Sequence, residues 1–171
     1  MASGSSITTP TAFWNLDQAS GSSRTDSCST PANLTIAGTV TQVAGKISNA
    51  ASVSTGSNYL SNISAGKLNA TSSFSFCGWF YLDNSAGGTI AKLGSMAASG
   101  WKLTASTTNL VLTTYQSPSG STSLTLPGTY TISTWNFFAG YFSSGTLGLS
   151  ANGSAFTTGA GTAPASSSGI S

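Results

Sequence analysis

The sequence predicts an all-β protein, an antiparallel β-sandwich of two sheets, and three observations support this prediction. Short segments rich in aromatic and β-branched residues recur along the chain, separated by clusters of Gly, Ser, Asn and Pro. No segment repeats its apolar residues at the spacing of an α-helix. The 171 residues, 39% of them hydrophobic, are enough for one domain with a buried core. Many short strands joined by frequent turns are typical of a sandwich.

The first third of the chain has short strand patterns separated by polar loops. Residues 12–16 (AFWNL) predict a short aromatic strand, and residues 17–29 predict a polar loop. Further strands are expected at 34–41, 50–53 and 58–60.

The clearest strand pattern is residues 74–82 (FSFCGWFYL). Alternation places Phe74, Phe76 and Phe80 on one face of this strand, and Trp79 and Tyr81 on the other. Because both faces carry large side chains, we expect both to be covered, and Trp79 to be buried.

The remainder of the chain continues the pattern of strands and turns. Strands are expected at 89–93, 101–105, 110–115, 124–126, 130–132 and 134–142. The segment 134–142 (TWNFFAGYF) is again aromatic on both faces, so Trp135 is expected to be buried. Within 147–156, Asn152-Gly153 predicts a type I′ turn, because both residues accept positive φ. Residues 157–171 have the composition of a linker.

The charged residues are few, which argues against several classes of function. Only 5% of the chain is charged, there is no His and no Glu, and the acids are Asp17, Asp26 and Asp83. Most enzyme chemistry needs positioned carboxylates or imidazoles, so we expect no enzyme. The net charge is +2, and the basic residues are scattered singly, so we expect no nucleic-acid partner. A nearly neutral surface permits dense self-assembly.

The two cysteines, Cys28 and Cys77, leave two interpretations open. A disulfide is one, if the fold brings them together; the other, which we favour, is two free thiols, with Cys77 packed in a strand and Cys28 in a loop. Without His and without a CxxC pair, the chain offers no zinc site.

The N-terminal segment MASGSSITTP has neither the basic nor the apolar region of a secretory signal. We therefore expect a chain that is used in the cytoplasm, is released by lysis, or has had a signal removed. No apolar run approaches the length that spans a bilayer, so no membrane insertion is expected.

The order of several motifs resembles a known family. The motifs are AFWNLDQASGSSRTDS, NLTIAGTVTQVAGKISNA, NYLS, FSFCGWFYLDNSAGGTIAKLG, GWKLT and TWNFFAGYF. In order and spacing they resemble the concanavalin A-like, laminin-G-like jelly-roll family, a two-sheet antiparallel β-sandwich. The resemblance implies a domain over residues 12–156, a flexible N-terminal arm over 1–11, and an arm or the start of a closing strand over 157–171.

The chain stops at SSSGIS, where the closing strands of that family would begin. We therefore expect an open sheet edge after Phe156, which a neighbouring chain or further residues of the same polypeptide would pair.

Aromatic residues are the candidates for a ligand site. The resemblance implies packing positions for Trp14, Trp79 and Trp135, and packing is also favoured for Trp101, although that ring could stack on a sugar. Tyr115 and Tyr130 flank the loop QSPSGSTSLTLPG, and we expect at least one of them to be an exposed platform for a glycan.

The resemblance also raises the question of calcium, which many relatives bind at a rim site through Asp and Asn. The candidates here are Asp83, Asn84 and Asp26, and they do not form a carboxylate cluster. We expect Asp26 to fix its loop by accepting backbone N–H bonds, and we expect no cofactor.

These observations predict a non-catalytic interaction module. The expected setting is a virion surface, as a phage decoration or tail-associated structural protein that contacts other subunits of an assembly and has glycan-binding capacity. The alternative is an extracellular setting, as a carbohydrate-binding module of a larger secreted or cell-surface protein. A third hypothesis is a glycoside hydrolase or lyase using Asp17 and Asp26, but enzymes of this superfold carry Glu on a central strand. An exposed aromatic platform would favour sugar binding.

Overall fold

The computed structural model describes residues 9–54, 56–62, 68, 72–94, 99–116 and 120–165. In these ranges there is no α-helix, and the regular structure is antiparallel β. The all-β prediction is confirmed. The chain divides into two compact units, Met1–Asn62 and Ile63–Ser171, which we call unit 1 and unit 2.

Unit 1 is built from short strand pairs. Its strands are β1 (Thr35–Ala37), β2 (Val40–Ala44), β3 (Asn49–Val53) and β4 (Tyr59–Ser61), with β1 paired to β4 and β2 paired to β3. The single strand predicted over 34–41 is two strands because Gly38 has a φ of 71°. A side chain at Gly38 would also overlap the amide of Asn58.

The predicted strand at residues 12–16 is wrong. Only an isolated bridge, between Trp14 and Asp26, forms there. Leu16 has a φ of 61°, which takes the backbone out of the extended conformation. The Trp14 ring is half-buried, and its Nε1–H donates to the carbonyl of Ala32 over 2.9 Å.

A buried cation lies in unit 1. Arg24 is fully buried, and its backbone exchanges two hydrogen bonds of 2.8 Å with Leu34. Its Nη1 donates to the carbonyls of Ala19 and Ser22. Desolvation lowers the pKa of the Arg24 guanidinium, and the charge of Asp17 opposes that shift.

Unit 2 is a sandwich of two four-stranded antiparallel sheets. Its strands are β5 (Ser73–Tyr81), β6 (Gly88–Leu93), β7 (Gly100–Ala105), β8 (Asn109–Tyr115), β9 (Ser121–Pro127), β10 (Trp135–Ser143), β11 (Thr146–Ala151) and β12 (Thr157–Ala160). The first sheet has the order β12-β11-β10-β5, and we call it the aromatic sheet. The second has the order β6-β7-β8-β9, and we call it the hydroxyl sheet.

The core of unit 2 lies between the inner faces of these sheets. Leucines of β7, β8 and β11 are fully buried there, among them Leu103, Leu112 and Leu149. Trp101 of β7 stacks on Phe76 of β5, with ring centroids 4.7 Å apart and planes 10° apart. The expectation that Trp101 packs in the core is confirmed.

The prediction that both faces of the 74–82 strand are covered is wrong. Only the face with Phe74, Phe76 and Phe80 meets the other sheet. Trp79 is on the outer face and is 41% exposed, and Trp135 on β10 is half-buried on the same outer face. The reason is that each sheet in a two-layer sandwich has only one face against its partner.

The end of the described chain is attached to both sheets. Asn152 and Gly153 have φ values of 51° and 80°, and the N–H of Ser154 donates to the carbonyl of Ala151, so the predicted type I′ turn is confirmed. Strand β12 then pairs with β11 and lies at the sheet edge. Ala165 donates to Tyr115 of β8 and accepts from Gly100 of β7. Residues 157–165 therefore cross from the aromatic sheet to the hydroxyl sheet.

Candidate functional site

Two of the three predicted ligand-binding aromatics are core residues. Trp101 is 7% exposed, and Tyr130 is 3% exposed. The expectation of an exposed ring is therefore wrong for Tyr130, which packs edge-on against Phe80 and covers Gly128. This burial raises the pKa of the Tyr130 phenol.

The strand predicted at 130–132 is wrong as well. After β9 ends at Pro127, the N–H of Tyr130 donates to the carbonyl of Thr107, so the chain crosses the end of β7 and β8 instead of forming a hairpin with β9.

Tyr115, the third candidate, is half-buried on β8, so neither Tyr115 nor Tyr130 is the exposed ring that was expected. The Nζ of Lys102 lies 5.9 Å from the centre of the Tyr115 ring. The structure therefore does not bring Trp101, Tyr115 and Tyr130 together as one platform.

Two of the three predicted metal ligands, Asp26 and Asn84, accept hydrogen bonds from the backbone of their own loops. The carboxylate of Asp26 accepts backbone N–H bonds from Phe13, Cys28 and Ala32 over 2.8–3.0 Å, which confirms its expected role in fixing the loop. The side-chain oxygen of Asn84 accepts from the N–H of Ala86 within the β5–β6 loop, and Asp83 is exposed there. Among the described residues, no group of three His, Cys, Asp or Glu could hold a metal ion.

The exposed aromatic rings of unit 2 lie together on the outside of the aromatic sheet. Cross-strand register places Trp79 of β5 opposite Phe137 of β10, and Tyr81 opposite Trp135. Ring centroids in these pairs are 5.3 and 5.4 Å apart. Further along β10, Tyr141 contacts Phe156 at 5.2 Å. We call this surface the aromatic face; its rings are Trp79, Tyr81, Trp135, Phe137, Tyr141 and Phe156.

The sequence places these rings by simple alternation. Successive residues of a strand point to opposite faces, so Trp79 and Tyr81 share a face, as do Trp135, Phe137 and Tyr141. Tyr141 extends the surface onto β11, where its ring covers Gly148 and leaves no room for a side chain there. The most exposed rings are Phe156 at 48%, Tyr81 at 42% and Trp79 at 41%.

Small polar groups accompany the rings. Ser75 and Cys77 share the outer face of β5, and both are exposed. Cys28 and Cys77 are not joined by a disulfide, so the interpretation of two thiols is confirmed, but Cys77 is exposed and not packed as expected. None of the four strands of the aromatic sheet contains a charged residue. The aromatic face can therefore stack on a ligand and form neutral hydrogen bonds, and it carries no carboxylate, ammonium or guanidinium group.

Sequence reasoning locates the aromatic strands but misses the aromatic face. Alternation separates the two faces of each strand correctly, but the expectation that both faces are covered makes Trp79 and Trp135 buried residues, and the pattern carries no signal for which face meets solvent. No helix in the described part of the chain has the length and apolar character to cross a membrane.

Comparison with known proteins gives matches at the level of structure alone. The sequence matches no protein-family profile and no curated protein sequence. One similar structure is that of botulinum neurotoxin type C, whose cell entry depends upon interaction with two ganglioside molecules. Its sequence is 19% identical to this one and the TM-score is 0.66; the match covers 91% of this chain and 43% of the neurotoxin chain. A second is the binding domain of Paraclostridial Mosquitocidal Protein 1, with 16% identity and a TM-score of 0.67; the match covers 91% of this chain and 44% of that chain.

A third similar structure is the binding domain of botulinum neurotoxin serotype G, which is 15% identical with a TM-score of 0.69, over 86% of this chain and 40% of that one. This chain thus spans less than half the length of the chains it matches. At these identities the likeness establishes a shared fold, and the β-sandwich prediction is confirmed by it.

Proposed function

We propose that this protein is a non-catalytic glycan-binding module and that sugars stack on its aromatic face. The observation that carries the proposal is the pair of exposed rings, Trp79 and Tyr81, two residues apart on one strand. An exposed aromatic platform is the feature that, on the sequence alone, favours sugar binding.

The chemistry of sugars fits this surface. A pyranose has an apolar C–H face and a rim of hydroxyl groups. Aromatic rings provide a matching apolar surface with a polar edge, and the hydroxyl of Ser75 is a neutral hydrogen-bonding group beside them. Because the rings stand on paired strands, little conformational freedom is lost when a sugar binds.

The shared fold supports the same class of function. Two of the similar structures are binding domains, and the third belongs to a neurotoxin whose cell entry depends upon gangliosides. A shared fold does not determine function, so the aromatic face remains the stronger support. The absence of charged residues from the aromatic sheet supports a role without catalysis.

A structural subunit at a virion surface is the second candidate. The observation that favours it is the same aromatic face, because large exposed apolar surfaces often mark contacts with other proteins. In this case a neighbouring subunit would cover the rings. The glycan-binding module fits either setting, virion surface or extracellular.

The proposal is tested by binding the chain to an array of neutral and acidic oligosaccharides. We expect binding to a subset of sugars, and an affinity loss of about ten-fold for Trp79→Ala, since one stacking ring is removed. Phe13→Ala is the matched control, because Phe13 is an exposed aromatic of unit 1. No binding to any sugar, together with light scattering that shows self-assembly abolished by Trp79→Ala, would favour the structural role instead.

A further inference from the structure

Two lysines that are isolated in the sequence become neighbours in the hydroxyl sheet. Lys92 of β6 and Lys102 of β7 lie directly opposite each other in the antiparallel register. Both are half-buried, and in the described part of the chain neither forms an ion pair with any of the three Asp. Like charges opposite each other across a strand pair repel, so this arrangement costs stability unless an anion compensates it.

The ring of Tyr115 lies beside the ammonium group of Lys102. Its Nζ lies 5.9 Å from the centre of the Tyr115 ring, within the range of a cation–π contact. This contact places the ammonium group beside the ring of Tyr115 on β8.

A shallow, open cleft lies on the hydroxyl sheet. It has a volume of about 350 Å³, and the residues that line it include Thr89, Thr104, Ser106 and Asn109. Thr89 and Thr104 are cross-strand neighbours, and in the described part of the chain neither hydroxyl is hydrogen-bonded to protein. Thr104 lies two residues along β7 from Lys102, or roughly 7 Å.

We propose that this face binds an acidic polysaccharide, with sugar hydroxyls in the cleft and a carboxylate or sulfate group over Lys92 and Lys102. The unused threonine hydroxyls provide donors and acceptors for a sugar, and the two ammonium groups provide the only paired positive charge on the described part of the hydroxyl sheet. The inference rests on the proposed glycan-binding function, but it concerns the opposite sheet and a different class of sugar.

The test is calorimetric titration of the full chain with three polymers: alginate, which carries carboxylates, dextran sulfate, and neutral dextran. We expect binding to at least one acidic polymer, weakened by salt, and an affinity loss of about ten-fold or more for the double variant Lys92→Gln/Lys102→Gln. Lys46→Gln is the control for the loss of an exposed positive charge outside the site, in unit 1, and it is compared with each lysine variant made singly. The acidic polymer that binds identifies the charged group.

Two further variants separate this site from general attraction and from the aromatic face. Thr104→Val should weaken binding of the acidic polymer several-fold, whereas Thr41→Val, at an exposed position of β2, should not. Trp79→Ala should reduce binding of neutral oligosaccharides and leave the acidic polymer bound. The inference is overturned if neither acidic polymer binds, or if Lys46→Gln costs as much affinity as Lys92→Gln or Lys102→Gln made singly. Near-ultraviolet circular dichroism checks that every variant is folded.

Discussion

At the scale of single residues, neighbours in the sequence have opposite environments. Trp79 is 41% exposed on the aromatic face, while Phe80, the next residue, is 6% exposed and packs against Phe138 and Tyr130. Alternation predicted that these two rings point in opposite directions. It could not predict which direction is solvent, because a period of two residues says nothing about where a second sheet lies.

This contrast predicts different stability costs for the two rings. Phe80→Ala should lower the free energy of unfolding by about 3–5 kcal/mol, because it leaves a cavity in the core. Trp79→Ala should cost less, about 1–2 kcal/mol, because the ring is 41% exposed and its removal leaves no cavity in the core. Urea denaturation of both variants measures the difference, and equal losses would show that Trp79 is a core residue.

The buried phenol of Tyr130 should make the free energy of unfolding depend on pH in the alkaline range. Burial raises the pKa of its phenol above the ordinary value, so the unfolded chain releases this proton first as the pH rises. The stability contributed by the neutral phenol is fully present below about pH 10, the pKa of an unfolded tyrosine. It should be lost as the pH rises towards the higher pKa of the folded state.

The measurement for Tyr130 is the unfolding free energy of wild type and Tyr130→Phe between neutral and alkaline pH. Because the other tyrosines are common to both proteins, the difference isolates Tyr130. Wild type should lose more stability than the variant at alkaline pH, and parallel curves would contradict a buried phenol.

At the scale of elements, most strands could be predicted from apolar runs bounded by turn residues, and the errors have local causes. The strand expected at 12–16 fails at Leu16, and the one at 34–41 is divided at Gly38, because both residues have positive φ. Such a conformation is anticipated for Gly but is uncommon for Leu. The aromatic face required tertiary information, since its rings come from β5, β10 and the segment before β12.

Two glycines with similar backbone conformations provide a matched test of the turns. Gly100 and Gly153 have φ values of 86° and 80°. A Cβ at Gly153 would meet nothing within 4 Å, so Gly153→Ala should cost only backbone strain, about 1–2 kcal/mol. A Cβ at Gly100 would overlap the carbonyl oxygen of Leu93 on β6, so Gly100→Ala should cost more than about 3 kcal/mol.

Thermal and urea unfolding of these two variants measure the difference. A Gly100→Ala protein as stable as Gly153→Ala would contradict the close approach of β7 to β6 at this point.

At the scale of the whole molecule, the amino-acid composition argues against catalytic functions. A chain without His or Glu, and with three Asp in 171 residues, predicted a binding or structural role before any fold was known. The division after Asn62 had no sequence signal, since the composition does not change there. The attachment of residues 157–165 to both sheets could not be predicted from the sequence either, because it is made by backbone groups of small residues such as Gly161 and Ala165.

The same composition predicts that the full chain has no glycosidase or lyase activity. On a panel of polysaccharides, reducing-sugar and unsaturated-product assays should show no turnover above buffer. The carboxylate of Asp26 is engaged by three backbone N–H groups, which leaves it poorly suited to attack or protonate a sugar. Turnover that disappears in Asp17→Asn or Asp26→Asn would overturn this prediction.

The central claim, that sugar binds on the aromatic face, is tested most directly by alkylation of Cys77. This exposed thiol lies two residues from Trp79 on the same outer face, and Cys28→Ser removes the other cysteine. With the oligosaccharide that binds best on the array at saturating concentration, the rate of iodoacetamide labelling at Cys77 should fall several-fold. In Trp79→Ala at the same sugar concentration, it should stay closer to the rate without sugar. An unchanged labelling rate while sugar is bound to the chain would place the binding site elsewhere.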